Sequence, residues 1–289
     1  MHLDVVELRR FYDSTRLGAL VRRVLSERLR TLWTDTRGLT VAGYGFAAPV
    51  LTPYLPEATR TLCLMPGQQG VVPWPDASAN HAILVEETLW PLPADFVDLL
   101  VVLHGLETCE RPAALLAEIW RVLAPGGSAV FVVPNRTGVW ARREGTPFGL
   151  GRPYTTTQLE RTLEAERFAA ERHTGALYMP PSHAAFWMSM GPTFERIGRR
   201  LDLQRLAGVT LVEARKQVYI TRQSGLRERA RVPLRVLEGL APQPAPPKPA
   251  AGRLATDVSR GLTGRVGGEI TGRVIAWPGP VPQSTPSNT

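Results

Sequence analysis

Cysteine, lysine and long apolar runs are scarce in this chain of 289 residues, and each scarcity excludes a class of protein. The two cysteines, Cys63 and Cys109, have neither CxxC nor Cys/His spacing, which excludes a disulfide framework or a zinc site and indicates a reducing compartment. No apolar run approaches the roughly 18 uncharged residues of a membrane-spanning helix, so we expect no membrane partner. Acidic residues interrupt the arginine-rich N-terminus, which argues against a transit peptide, and we expect a cytoplasmic protein.

Lysine is nearly absent although the formal net charge is +8. Only Lys216 and Lys248 are lysines, so 32 of the 34 basic residues are arginine. Such a bias fits a GC-rich genome at least as well as a polyanionic partner. No recognised nucleic-acid-binding motif occurs, and aromatic residues do not interleave with the basic ones, so we do not expect nucleic acid as a partner.

Composition divides the chain into three regions. Residues 1–38 are predicted to form helices, with Asp4 and Glu7 as a capping box for the first and Ser14 as the cap of the second. Residues 39–240 are predicted to form one α/β domain. Residues 241–289 contain nine prolines and seven glycines, a composition that predicts a disordered tail.

Within the α/β domain, predicted strands alternate with helices, which favours a doubly wound parallel sheet with helices on both faces. Helices are predicted over 112–123 and 155–168. Strands are predicted over these segments: 39–45, 60–65, 81–86, 97–104, 128–134, 176–180 and 209–221. Ligands bind such a sheet at the carboxyl ends of its strands, so the residues that follow each strand matter most.

The first predicted strand runs into a glycine turn, Gly43-Tyr44-Gly45-Phe46-Ala47. Glycines there let the backbone turn tightly and approach a ligand without an intervening Cβ. A tight strand-to-helix turn with no ligand explains the same residues.

Three segments in order resemble one family: LTVAGYGFAAP (39–49), EETLWPLPADFVDLLVVLHGLE (86–107) and LLAEIWRVLAPGGSAVFVVPN (115–135). They are similar to class I S-adenosylmethionine-dependent methyltransferases of the small-molecule type, over about residues 10 to 220. The resemblance implies a Rossmann-like sheet of seven strands, mostly parallel with an antiparallel last strand, and S-adenosylmethionine as cofactor.

The resemblance also implies a cofactor site. Its candidate residues are the lid-helix residue Tyr12, the loop residues Gly43, Tyr44, Gly45 and Ala47, then Met65 and Gln68 after the second strand, Glu87 and Leu89 after the third, and His104 and Leu106 after the fourth. His104 is the one candidate general base, because an imidazole titrates near neutral pH; a histidine that only shapes the pocket is the alternative.

The sequence departs from the family at two cofactor acids. Val41 stands where an acid usually precedes the first loop glycine, and Met65 stands where an acid usually binds the ribose hydroxyls. Loss of two charge-assisted hydrogen bonds would weaken cofactor binding by about ten- to a thousandfold or more. Either Gln68 and backbone groups compensate for the two missing acids, or this is a methyltransferase fold without catalytic activity.

Three further features have competing interpretations. Asn135 and Arg136 lie where family substrates bind, and Asn135 equally suits a turn. The insert 178–191, with His183, Phe186, Trp187, Met188 and Met190, fits a substrate pocket, a partner surface or plain core. Basic residues between 215 and 235 form either a partner surface or a solvated face.

Two functions follow from the sequence. The first is an S-adenosylmethionine-dependent methyltransferase acting on a small-molecule or protein acceptor. The alternative is a non-catalytic methyltransferase-fold protein that binds or regulates another protein through the 178–191 insert and the tail.

Overall fold

A seven-stranded sheet forms the centre of the chain, with strand order β3-β2-β1-β4-β5-β7-β6. A computed structural model describes residues 3–76, 79–182, 184–201 and 203–217. The strands are β1 (Thr40–Gly45), β2 (Arg60–Pro66), β3 (Ala82–Val85), β4 (Val97–Leu103), β5 (Leu123–Pro134), β6 (Phe168–Ala176) and β7 (Val209–Lys216). β1 to β5 pair in parallel, and β7 is antiparallel to both β5 and β6. The predicted fold class is confirmed.

Helices cover both faces of the sheet, as predicted. They are α1 (Val5–Ser14), α2 (Arg16–Leu32), α3 (Ala48–Leu51), α4 (Pro112–Val122), α5 (Thr156–Ala165) and α6 (Ala185–Arg200). Side chains alternate along β1, so Val41 faces one core with α1, α2 and α3, while Ala42 and Tyr44 face the other with α4 and α5. The two apolar layers fix the register of the strands and therefore the level at which their carboxyl ends stop.

Several local predictions need correction. The second helix is capped by Thr15, whose hydroxyl accepts from the Gly18 amide, and not by Ser14, which is the last residue of α1. The helix expected over 155–168 ends at Ala165, and Phe168 begins a strand. A strand was expected over 176–180, but the strand in this region is β6, which ends at Ala176. Phe168 and the residues after it form this strand because they pair with β7.

The 178–191 insert enters α6 and exposes part of its aromatic content. Phe186 is 64% exposed and contacts the Trp187 ring, whereas Met179 is buried. His183, the residues from 218 to 235 and the tail 241–289 lie outside the described residues. Two residues expected in the basic surface are already paired: Arg215 with Glu171, and the buried Lys216 with Asp95.

None of the helices in the described part of the chain has the length and apolar character needed to cross a membrane.

Candidate functional site

The glycine turn after β1 packs directly against the end of β4. Gly45 has φ +80°, and a Cβ there would lie 2.3 Å from the Leu103 carbonyl oxygen. The Phe46 amide donates to the same oxygen over 2.8 Å. A Cβ at Gly43 would lie 2.5 Å from the Ala47 Cβ. Both glycines are therefore required by contacts within the protein, whatever else the turn binds.

Helix α1 lies over the carboxyl ends of β1, β2 and β4. Its first amide, Val5 N, donates to Gln69 O after β2 over 2.8 Å. Arg9 pairs with Asp76 at 2.8 Å. The Tyr12 ring stacks on Phe46 after β1, with 5.8 Å between centroids. The helix is thus held to the loops below it, and its action as a lid over a cofactor stays a prediction.

A buried polar chain joins Tyr12, His104 and Glu107. The Tyr12 hydroxyl lies 2.8 Å from His104 Nε2, and His104 Nδ1 lies 3.2 Å from Glu107 Oε1. With Glu107 ionised, Nδ1 carries the proton and donates to the carboxylate, so Nε2 accepts from Tyr12. Among the described residues, Glu107 Oε2 has no hydrogen-bond partner.

His104 itself adopts an unusual backbone conformation. Its φ is +54°, in the left-handed region that a non-glycine residue occupies only at a cost. The loop is held by Gln69, whose side-chain amide donates to His104 O, and by the Phe148 ring, whose centroid lies 4.7 Å from that of the imidazole. Trp140 packs edge-on against Phe148 at 5.7 Å and completes an aromatic wall.

The electrostatics keep the hydroxyls of this region protonated. Burial, and secondarily the charge of Glu107, raises the pKa of Tyr12 well above its ordinary value. The same two causes raise the pKa of Tyr154. Burial and a hydrogen bond with Glu87 raise the pKa of the Cys109 thiol to about 12. At neutral pH, Tyr12 therefore keeps the hydroxyl proton that it can donate to His104, and Cys109 is a neutral thiol.

The loops after β2 and β3 form an open shelf beside this buried chain. The Gly67 amide donates to Val85 O over 2.9 Å, so the two loops adjoin. Gln68 is exposed, and Leu89 is 65% exposed. Glu87 is half-buried, and its carboxylate accepts from the Glu110 amide over 3.1 Å.

The structure brings the expected site residues together only in part. Tyr12, Ala47, Met65 and His104 are buried around the end of β1, but Tyr44 and Leu106 point into the opposite core, where Tyr44 stacks on Trp90 at 4.9 Å. Asn135 donates to the carbonyls of Gln204 and Ala207, each over 2.9 Å, which favours its structural role.

Sequence reasoning missed four residues of the site. They are Phe46, Gln69, Glu107 and Phe148. The i, i+3 spacing of His104 and Glu107 after a buried strand is the sequence signal that could have identified the contact between their side chains. No local pattern marks Phe148, which reaches the site from a distant loop. No group of three or more His, Cys, Asp or Glu side chains in the described ranges is arranged to hold a metal ion.

The residues present fit S-adenosylmethionine on the open shelf. An added Cβ at Gly67 would meet only Val85 O, at 3.9 Å, so the backbone there can be approached closely. Leu89 offers exposed apolar surface beside it, and the Gln68 side chain is exposed on the neighbouring loop. The turn after β1 fits the amino-acid end only with α1 displaced, since Tyr12 and Phe46 cover it.

Comparisons with known proteins agree with the resemblance found in the sequence. Residues 69–131 match the model of a methyltransferase-domain family. A Haloferax volcanii protein described as a methyltransferase, solved in complex with the Trm112 methyltransferase activator, is 15% identical with a TM-score of 0.52 over 73% of this chain and 98% of its own. No curated protein sequence matches the chain.

Two further solved structures are similar at lower TM-scores. A Mesorhizobium loti S-adenosylmethionine-dependent methyltransferase is 18% identical, with a TM-score of 0.46 over 66% of this chain and 96% of its own. The [4+2]-cyclase SpnF is 18% identical, with a TM-score of 0.49 over 68% of this chain and 82% of its own. At these identities the likeness concerns the fold. The family match and the sheet order support a place for the chain among the class I S-adenosylmethionine-dependent methyltransferases.

Proposed function

We propose that the chain is a cytoplasmic S-adenosylmethionine-dependent methyltransferase that acts on a small-molecule or protein acceptor with a removable proton. The observation that carries the proposal is the buried Tyr12–His104–Glu107 chain at the carboxyl end of β4. This is the loop that, by resemblance, lies beside the methyl donor.

The buried Tyr12–His104–Glu107 hydrogen-bond chain lowers the stability of the protein, which favours a functional explanation for these residues. His104 and Glu107 side chains are 0% exposed, and an unpartnered buried carboxylate oxygen costs roughly 1–3 kcal/mol. The left-handed backbone of His104 adds strain of the kind that collects at functional sites. A purely structural core would be more stable with apolar residues at these positions.

Each side chain has a definite part in this proposal. His104 Nε2 would take the proton that the acceptor loses, and Glu107 would hold the ring in the tautomer that leaves Nε2 free to accept. Gln68, Glu87 and Leu89 would hold the nucleoside, and the turn from Gly43 to Ala47 would line the amino-acid end. The bound cofactor would supply an electrophilic methyl group on a sulfonium sulfur.

Binding of the cofactor requires α1 to leave its place over β1. The contacts to be broken are the Tyr12–His104 hydrogen bond, the Tyr12–Phe46 stack and the Arg9–Asp76 ion pair. We therefore expect binding to be weak and coupled to movement of the helix.

Calorimetry with S-adenosylmethionine and S-adenosylhomocysteine tests the proposal on the full chain. We expect both to bind at micromolar to millimolar concentration, and Leu89→Asp to weaken both by about tenfold through loss of apolar contact. Glu110→Gln, on the neighbouring loop, is the matched control, because only its backbone amide contacts Glu87. Absence of binding by either compound at millimolar concentration would remove this function.

The alternative, a non-catalytic binding protein on the same fold, is favoured by one specific observation. Val41 and Met65, which replace the two cofactor acids, are fully buried beneath α1 rather than facing a cleft. The neighbour solved with an activator protein offers a precedent for a partner. Stable co-purification of a partner, lost in Phe186→Asp but retained in Val6→Asp on the exposed face of α1, would support this alternative.

A further inference from the structure

We infer that the place filled by the Tyr12 side chain is an acceptor subsite for a phenol, and that α1 closes the subsite with a residue of the same chemistry. The inference rests on the proposed function for what happens to the phenol, whereas its binding is a separate property. The subsite consists of Phe46, His104 and the aromatic wall behind His104.

The walls of the subsite are specific for a flat ring. Phe46 stacks on the Tyr12 ring with planes 29° apart, and the imidazole of His104 lies 5.8 Å from the same ring. The Phe148 ring also packs on the imidazole, with 4.7 Å between centroids. Aromatic surfaces at these separations favour an aromatic ligand over an aliphatic one of equal size.

One polar atom sets the chemistry of the ligand. With Glu107 ionised and His104 neutral, Nδ1 donates to the carboxylate and Nε2 is the acceptor that faces the Tyr12 hydroxyl. A ligand that replaces Tyr12 must therefore donate a proton to Nε2 to avoid an unsatisfied buried acceptor. An aromatic hydroxyl supplies both the ring and the donor, as Tyr12 does.

The occupant belongs to a single short helix, whose other buried side chains are Val5, Leu8 and Phe11. Tyr12 is on the ten-residue helix α1, followed by Thr15 in extended conformation at the junction with α2. The outer face of α1 is exposed at Val6, Glu7 and Arg10. Displacement of this one helix would open the subsite and leave the pairing of β1 with β4 in place, while exposing the apolar side chains of Val5, Leu8 and Phe11.

Binding of p-cresol, the tyrosine side chain as a free molecule, tests the inference on the full chain without cofactor. We expect Tyr12→Ala to bind p-cresol at least tenfold more tightly than the wild type, since the internal competitor is gone. We expect 4-methylanisole, which lacks the donor, to bind Tyr12→Ala about tenfold more weakly than p-cresol.

Tyr54→Ala is the matched control. Tyr54 is equally buried on the same side of the sheet, and its hydroxyl has no partner in the part of the chain described. Its cavity should bind p-cresol and 4-methylanisole alike. If Tyr12→Ala does not fold, Tyr12→Phe replaces it, with an expected severalfold gain in p-cresol affinity over the wild type.

Hydrogen exchange of the wild type distinguishes an acceptor subsite from a cavity made by mutation. Millimolar p-cresol should accelerate exchange of the α1 amides, and 4-methylanisole should not. Unchanged α1 exchange, or equal affinity of Tyr12→Ala for the two ligands, would overturn the inference. The p-cresol experiment is done without cofactor, so its outcome is independent of the calorimetry with S-adenosylmethionine. If p-cresol binds and S-adenosylmethionine does not, the proposed methyltransferase function is wrong and the phenol-binding subsite is retained.

Discussion

The Tyr12 hydroxyl lies 2.8 Å from His104 Nε2 and joins the first helix of the chain to the loop after β4. Both side chains are fully buried, so the hydrogen bond is not exchanged with water. Among the hydrogen bonds of the described residues, it is the one that joins α1 to the imidazole, so the stability of the helix and the availability of the imidazole are coupled.

Tyr12→Phe should loosen α1 with little change to the sheet. The ring remains to stack on Phe46, but His104 Nε2 loses its donor, which costs roughly 1–3 kcal/mol. Hydrogen exchange should become faster at the α1 amides and remain slow in β1 and β4. Equal protection of α1 in both proteins would show that the hydroxyl does not hold the helix.

Gly45→Ala should destabilise the chain by more than Gly38→Ala. Both glycines have φ near +80°, so each substitution strains the backbone by roughly 1 kcal/mol. Only Gly45 adds a clash, because its Cβ would lie 2.3 Å from Leu103 O, whereas nothing lies within 4 Å at Gly38. Urea unfolding of the two variants checks the difference, and equal losses would contradict the packing of the turn on β4.

Arg28→Met should destabilise the chain at neutral pH and much less in acid. Arg28 pairs with Glu195 at 3.0 Å between α2 and α6, and both side chains are nearly buried. Burial raises the pKa of Glu195 above its ordinary 4.5, and the Arg28 charge opposes that rise. Without Arg28, the folded-state pKa rises further, so stability is retained below pH 4.5 and lost as the pH increases through the folded value.

The expected loss for Arg28→Met is about 3–5 kcal/mol at pH 7. Arg23→Met is the control, because the Arg23–Glu27 pair has side chains 69% and 63% exposed, and its loss should change the free energy of unfolding by less than about 1 kcal/mol. Denaturation at pH 4 and pH 7 checks both variants. A loss for Arg28→Met that does not grow with pH would contradict the buried pair.

Val41→Asp, which restores an acid typical of the family, should destabilise the chain rather than improve cofactor binding. Val41 is 0% exposed and packs in the core beneath α1 and α2. An unpaired carboxylate there costs several kcal/mol or stays protonated. Chemical denaturation measures the loss, and Val41→Leu, which remains apolar, should lose about 1.5 kcal/mol or less. A stable Val41→Asp with gained cofactor affinity would show that α1 opens readily.

The parallel part of the sheet could be predicted because each of its strands has a recognisable apolar pattern in its own short segment. Runs such as 97–104 are apolar on both faces, as only doubly covered strands are. β6 was placed wrongly because residues 169–173 are mostly small or charged, and it is pairing with β7 that makes them a strand. The residues of a short segment show its hydrophobic periodicity, but they do not show which distant strand it will pair with.

Sequence position selects individual residues of the candidate site but not the contacts between them, and their roles stay predictions. His104 follows β4 at the sheet edge, and this was sufficient to select it. Its partners are separated from it in space and sequence: Tyr12 by 92 residues, and Gln69 by 35. The choice between Gln68 and Gln69 for the buried position depends on the turn after Pro66, which sequence alone does not specify.

The sequence separation of these contacts sets an order of events in folding. The helix that covers the site is made before its partners: Asp76 follows Arg9 by 67 residues, and His104 follows Tyr12 by 92 residues. Contacts of such long range form after local ones, because the intervening chain must first be closed into a loop. During synthesis, α1 therefore cannot make these contacts until the chain has been extended past His104, and until then the carboxyl end of β1 lacks its cover.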